Sequence, residues 1–406
     1  MEQVVLHLTS THSGFDDRIF YKEASSLAKH YKVVVISAGM HGKIFDMSKN
    51  LFDEGYYNGV LELCFFPKSI FFKLNNRYIR FIFRKVFLFF GYYFISKKLL
   101  QYKIKPDVIH FHKPELFSIV LKLKHKYKCN LIFDTHEMDI GYVFDKFSFP
   151  FNFILSLLTV LKWKKYFKFL DATISVNNII KAFNVCFNPY ILHEVIDNSS
   201  VFKADSPSVL NIVNVHAKSN NFDNILLVHE GSLLFNRGFK IMCDLFKDEF
   251  FRSKYRLRIV GAIRGKELDY FKYRLKAEPW LKDCIEETGW VDYLDVPKYL
   301  KGAHIGLILM EPLYNNLLAG SPNKLFNYVA LSIPVLSFDL PATSELINRY
   351  GVGVISERNI NSLYNSLDIL INNYDKFISN INKHKSAFIW ETQEKKLIDF
   401  YNKKLN

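Results

Sequence analysis

The sequence lacks several of the features that announce common functions. Its five cysteines (Cys64, Cys129, Cys186, Cys243 and Cys284) are scattered and form no C-x-x-C pair, which argues against both a zinc site and a disulfide framework. No G-x-G-x-x-G follows the first strand candidate, and the stretch from Gly261 to Lys266 is too short for a P-loop and lacks its Ser/Thr. Nicotinamide oxidoreductases and P-loop NTPases lose support accordingly. No apolar run reaches the roughly 20 residues of a spanning helix; the greasiest, Phe149 to Val160, is soon followed by Lys162. The amino terminus has Glu2 where a signal peptide carries basic residues, so the chain is expected to stay in the cytoplasm. Finally, from Cys64 through Pro106 there is not one Asp or Glu.

What is present is a globular composition: 406 residues, 49% hydrophobic and 23% charged, with 39 Phe and a formal net charge of +14. A chain of this length predicts two or three domains with sizeable cores. A greasy, basic protein calls for an anionic partner. Lys73, Arg77, Arg80 and Arg84 in the acid-free stretch share one face of a helix, with phenylalanines filling much of the rest. Such a helix suits an anionic membrane surface; the plainer reading is a buried aromatic face with a solvated basic one. A second patch of this kind runs from Trp163 to Lys168. Nucleic acid is not expected as a partner, because no RNA-binding sheet signature, zinc finger or recognition helix is present.

Short β-branched or aromatic runs at Val4 to Leu8, Lys32 to Ser37, Asp107 to Phe111, Asn130 to Asp134 and Ala172 to Val176 alternate with helical spacing, as at Ile19 to His30 and Leu116 to Tyr127. The alternation restarts after a polar stretch with Ile225 to His229, Leu257 to Gly261, His304 to Met310, Pro334 to Phe338 and Val352 to Ile355. Two α/β halves with parallel sheets follow: residues 1–195, residues 196–385, and a terminal amphipathic helix at 386–406 that packs on one or both.

Ligands in open α/β sheets bind at the carboxyl ends of strands. The polar turn from Thr9 to Arg18 follows the first strand, and Glu230, Gly231 and Ser232 follow the first strand of the second half, with Arg237 and Gly238 opening a helix. An arginine beside a helix amino terminus suits a phosphate. Lys324, in the first turn of a helix starting at Pro322, can add a second cation.

The block from Ala319 to Val335 resembles the S/L-P-N-K-L-F-E-Y-M-A-A-G-x-P-V signature of family-4 retaining glycosyltransferases of the GT-B fold, many of which build bacterial surface polysaccharides. The resemblance extends over nearly the whole chain. Asp16 to Ala24 is similar to that family's F-D-x-R-I-F-x-K-E-A opening, Asp107 to Glu115 to D-V-I-H-x-H-D-P-E, and Asp134 to Glu137 to D-x-H-E; Arg237-Gly238 and Gly289 to Val291 have counterparts as well.

The resemblance implies two Rossmann-like doubly wound domains facing a central cleft. The second would hold a nucleotide-diphosphate sugar through Gly231, Ser232, Arg237, Gly261, Lys324, Leu325 and Asn327. The first would admit a lipid-linked glycan acceptor past Gly14, Asp17 and Arg18, with His136, His112 and Asp16 at the reacting groups. Transfer would proceed with retention and without metal or other cofactor, at the inner face of the cell membrane, in capsule, O-antigen or exopolysaccharide synthesis. Two departures stand out. Asn327 and Ala319 occupy the positions of the family's helical glutamate and its E-x7-E partner, and Ser232 stands where many members have an arginine, so weaker donor binding is expected. A binding protein that no longer transfers sugar, or a sugar-nucleotide epimerase, are the competing readings.

Overall fold

The computed structural model describes residues 2–37, 39–40, 42–46, 50–65, 77–202, 224–233, 236–314, 320 and 322–405. The chain divides into two compact units, one comprising residues 1–143, 147–197 and 393–406 and the other residues 144–146 and 198–392.

The strands of the first unit are β1 (Val4–Leu8), β2 (Lys32–Ser37), β3 (Gly39–Met40), β4 (Lys43–Phe45), β5 (Leu51–Phe52), β6 (Gly55–Tyr57), β7 (Val60–Cys64), β8 (Val108–Phe111), β9 (Asn130–Thr135), β10 (Ala172–Ser175) and β11 (Leu192–Val195). Its helices are α1 (Asp17–Ala24), α2 (Arg77–Gln101), α3 (Phe117–Tyr127), α4 (Asp139–Lys146), α5 (Phe151–Phe167) and α6 (Asn178–Phe187). Eight strands form one sheet in the order β11-β10-β9-β8-β1-β2-β7-β6, and β3, β4 and β5 form a small separate one. All pairs in the large sheet are parallel except β6 with β7. Its central strands are buried, which is why they read as unbroken Val/Ile/Leu runs rather than as alternating ones. From β7 onward each connection to β8, β9, β10 and β11 steps the same way along the sheet. Right-handed crossovers therefore put α2, α3, α5 and α6 on one face and α1, which steps the other way, on the opposite face.

A helix is expected from Ile19 to His30; the structure instead has a π-helical α1 that passes into a short α-helical turn at Ser25–Leu27. The reason lies in its side chains. Arg18 and Glu23 are five residues apart yet 3.0 Å apart as an ion pair, a spacing that a wider turn aligns and a 3.6-residue turn does not. The Asp16 carboxylate starts the helix by accepting the N–H groups of Arg18 and Ile19, each at 3.0 Å.

The second unit contains β12 (Ile225–Glu230), β13 (Tyr255–Val260), β14 (Ile285–Glu287), β15 (Ile305–Ile308), β16 (Val335–Phe338) and β17 (Gly353–Ser356). They pair in parallel in the order β14-β13-β12-β15-β16-β17. Its helices are α7 (Phe239–Leu245), α8 (Glu249–Lys254), α9 (Lys266–Ala277), α10 (Leu281–Cys284), α11 (Val296–Leu300), α12 (Asn323–Ala330), α13 (Pro341–Tyr350), α14 (Ile360–Asn372), α15 (Tyr374–His384) and the start of α16 (Trp390–Leu405). Two apolar layers, one around Phe239, Leu257 and Leu307 and one around Leu325, Tyr328 and Val335, clamp the sheet. From Gln393 onward α16 belongs to the first unit. There Tyr31 donates to Asn402 Oδ1 at 2.8 Å and Lys29 pairs with Glu394 at 2.5 Å.

Lys73 and Ala319 lie outside the described residues, as do the side chains of Arg77, Arg80 and Arg84 on α2. Among the described residues no helix is long and apolar enough to cross a membrane.

Candidate active site

Each sheet has one point where strand order reverses, between β1 and β8 in the first unit and between β12 and β15 in the second. Open α/β sheets bind ligands at such points, beyond the carboxyl ends of the strands. Both places hold clusters of buried polar groups.

In the first unit Asp134, at the end of β9, is the hub. Arg18 donates to both its oxygens, at 2.9 and 3.1 Å. His136 Nε2 lies 2.5 Å and His112 Nδ1 3.2 Å from Asp134 Oδ2. Burial alone would raise the carboxyl, but the Arg18 guanidinium and the two imidazoles hold it well below the usual carboxylate range. An ionised carboxylate only accepts, so His136 donates from Nε2 and keeps Nδ1 as an acceptor. His112 likewise donates from Nδ1, and its Nε2 accepts from His7 Nδ1 at 3.1 Å. Burial pushes His136 below its ordinary value and His112 down to about 4, so both rings are neutral at physiological pH.

His136 is the accessible end of this chain, its side chain 13% exposed, whereas His112 is enclosed. Opposite His136 stands His12, with ring centroids 5.6 Å apart. His12 Nδ1 donates to Asp16 at 2.8 Å, and the Asp16 carboxyl, despite its burial, is held far below the normal range by His12. Two histidine–carboxylate pairs thus face each other after β1 and β9, an arrangement able to bind and orient sugar hydroxyls or take a proton from one.

The other residues expected on this side are placed as follows. Gly14 donates to the Phe45 carbonyl at 2.9 Å, and an added Cβ would stand 3.2 Å from Glu62 Oε2. The Asp17 carboxylate lies 3.8 Å from Lys22 Nζ. Arg18 is buried, its donors directed to Asp134, Glu23 and the Ile196 carbonyl. It sets the charge and position of Asp134.

Ligand atoms of His7, Glu23, His110 and His112, and of His112, Asp134 and His136, approach within 4.8 Å of one another, close enough in principle for a metal. Arg18 already sits between Glu23 and Asp134 and supplies the positive charge that an ion would bring.

In the second unit the switch point gathers His229 and Glu230 from the end of β12, Arg237 before α7, and Lys324 and Asn327 from α12. Lys324 Nζ donates to His229 Nε2 at 3.2 Å. Burial, with Arg237 nearby, pushes Lys324 well below its ordinary value, Glu230 opposing the shift, and burial with the same two cations depresses His229. The half-buried Arg237 beside the buried Lys324 concentrates positive charge where burial disfavours it, a site suited to an anion.

The chain approaches this site closely through glycine. Gly238 has φ +76°, and a Cβ there would lie 2.1 Å from the Leu309 carbonyl oxygen. Only glycine lets the Arg237 loop pack onto the end of β15. Asn236 accepts the Glu311 N–H at 2.9 Å and fixes the same loop. Gly231, half-buried Ser232 and Gly261 lie together, since a Cβ on Gly261 would be 2.6 Å from Gly231 C. Leu325 turns its side chain into the core, so it can contribute only backbone to a ligand.

The helical carboxylate missing at Asn327 is replaced from the strand. Asn327 Nδ2 donates to Glu230 Oε1 at 2.8 Å. The Glu230 N–H in turn donates to the Tyr328 hydroxyl at 2.7 Å. The site therefore contains a buried carboxylate after all, one residue before Gly231. Sequence reasoning placed Glu230 and His12 in the ligand-side turns but gave neither a role; the only signal for either was its position at the end of a central strand.

A family model described as Glycosyl transferases group 1 matches residues 225–373. The chain is 28% identical over 149 residues to the chitobiosyldiphosphodolichol beta-mannosyltransferase of Yarrowia lipolytica, a match covering 36% of this chain and 31% of that protein; it spans about a third of the relative's length. Sucrose-phosphate synthase from Thermosynechococcus elongatus superposes with a TM-score of 0.73 at 11% identity, over 99% of this chain and 98% of that one. The Anabaena protein HepE in complex with UDP and glucose gives 0.66 at 14% identity, over 99% and 100%. The catalytic domain of Arabidopsis thaliana starch synthase IV, bound to ADP and acarbose, gives 0.66 at 11% identity over the whole of both chains. The chain has the GT-B fold of glycosyltransferases, and its residues 225–373 match the glycosyl transferases group 1.

Proposed function

We propose that the protein is a glycosyltransferase that moves a sugar from a nucleotide-diphosphate sugar to a lipid-linked glycan. The observation that carries this reading is the group of half-buried Arg237 with buried Lys324, His229 and Glu230 at the switch point of the second sheet, inside the matched segment. Arg237 and Lys324 hold the diphosphate. Its arrival restores the charge that burial takes from Lys324, and the two cations stabilise the departing nucleotide as the glycosidic bond breaks. With these cations in place, the reaction needs no metal. Glu230, supported by Asn327, accepts hydrogen bonds from the donor's hydroxyls.

His136, held by Asp134, and His12, held by Asp16, contact the acceptor or the transferred sugar. The sugar keeps its anomeric configuration. The relative that acts on a dolichol-linked sugar supports a lipid-linked acceptor, and with it a place at the cytoplasmic face of a membrane, in the assembly of capsule, O-antigen or exopolysaccharide. A screen of UDP-, GDP-, ADP- and dTDP-sugars by thermal shift tests the donor assignment: one nucleotide class is expected to raise the melting temperature, and stabilisation by none of them would refute it.

A further inference from the structure

Helix α5 and the turn before it expose large apolar side chains to an unusual degree. Phe149 is 81% exposed, Phe151 66%, Phe153 58%, Leu158 56% and Leu161 54%. The first three turns of the helix bury only Ser156, whereas the last two pack Trp163 and Phe167 into the core. The patch read from Trp163 to Lys168 is thus corrected in part: Trp163 and Phe167 are internal and Tyr166 is half-buried, while its lysines face out.

From Phe147 to Leu170 there is no Asp or Glu, and Lys162, Lys164, Lys165 and Lys168 are all exposed. The helix is divided along its length, with bare phenylalanine and leucine first and a cluster of ammonium groups after. The exposed apolar part, residues 151–161, is about 16 Å long, roughly half of a ~30 Å hydrocarbon core. It can enter one leaflet and cannot cross. An apolar patch of this kind marks an interaction surface, and the lysines select its partner. Docked on a second copy through this face, the lysines of both chains would crowd together with no acid of the segment to offset them. Against anionic headgroups each is attracted. Helix α2, in the same helical layer, also exposes Phe89 and Tyr93.

We infer that the α5 face, from Phe149 to Lys168, is a membrane-insertion surface for a bilayer carrying anionic lipid, the apolar turns entering the acyl region and the lysines lying at the headgroups. This surface gives the proposed acceptor lipid its meeting place, and it rests on that reading only in that respect, since its test involves no sugar.

The test is flotation of the full-length protein with phosphatidylcholine vesicles, with and without phosphatidylglycerol. Wild type is expected to bind the anionic vesicles and to be released by salt. The variant Phe153→Ser/Leu158→Ser is expected to bind roughly 100-fold more weakly, about tenfold per side chain removed from lipid. Lys164→Glu/Lys165→Glu is expected to lose about 25-fold or more. All four positions are exposed, so melting temperatures should match wild type. No binding by wild type, or equal binding by both double variants, would overturn the inference. So would a wild-type dimer that Phe153→Ser/Leu158→Ser dissociates, because the face would then belong to a second copy. The nucleotide screen is run without vesicles, so either result can fail alone.

Discussion

Acidification should unfold the first unit early, and the histidine cluster fixes how steeply. His7, His110 and His112 are buried and His136 is largely enclosed, and desolvation depresses every one. The unfolded chain takes up protons on these rings below 6.5 while the folded chain does not; stability is therefore whole above that value and is lost as the pH falls. For His112 the folded value is about 4 against 6.5, which at about 1.4 kcal/mol per pKa unit amounts to roughly 3 kcal/mol by pH 4. Glu23 and Glu62 act in the opposite sense. Burial raises both well above 4.5, so the folded protein keeps protons there that the unfolded chain releases. The depressed histidines outnumber the raised carboxyls Glu23, Glu62 and Asp17 in this unit, so unfolding takes up protons on balance as the pH falls below 6.5. Because a domain has only about 5–15 kcal/mol of stability, calorimetric scans should show a melting temperature that is level above neutrality and falls sharply toward about pH 5. In His112→Gln the slope should drop by about one proton, whatever the absolute loss. A melting temperature that stays flat or rises over this interval would refute the assignment of neutral, buried rings.

Two further predictions concern the second unit. Arg237→Ala and Lys324→Ala should each weaken binding of the nucleotide-diphosphate donor roughly 10- to 150-fold, the range for charge-assisted hydrogen bonds, as read by titration calorimetry; unchanged affinity would remove the diphosphate from this place. Asn327→Glu, which sets a second carboxylate against Glu230, should destabilise the fold by about 3 kcal/mol, and Glu230→Gln in the same chain should restore both stability and donor binding. Failure of that rescue in denaturant titrations would show that the two positions do not share one role.

Much of the fold was legible because central strands of a doubly wound sheet are buried on both faces. Val4 to Leu8, Lys32 to Ser37 and Ile225 to His229 stand out as apolar runs and appear as β1, β2 and β12 within a residue. Edge and short strands carry less signal. Among them, β11 has a half-exposed polar position and β14 two exposed ones, and neither is distinguishable from a loop without its neighbour. In the site, side chains near strand ends could be singled out by place, but their partners could not. Arg18, His112 and Asp134 are far apart in sequence, and only the fold brings them to one hub. The π-helical turn of α1 goes with the Arg18–Glu23 ion pair, whose five-residue spacing lies outside the three- and four-residue spacing of an ordinary helix. Glu230 was hidden for a related reason: it acts through Asn327 on α12, and a position-by-position reading records only that the helix has lost its glutamate.

Sugar transfer itself tests the account most directly. The protein would be given the nucleotide sugar identified by thermal shift, with and without a lipid-linked glycan fraction, and the product's anomeric configuration read by NMR. The account predicts nucleoside diphosphate release that depends on the lipid acceptor, a lipid-linked product carrying one more sugar with the donor's anomeric configuration, and loss of both in Arg237→Ala. Conversion of the donor without acceptor, or stable donor binding with no transfer to any lipid-linked glycan, would contradict it.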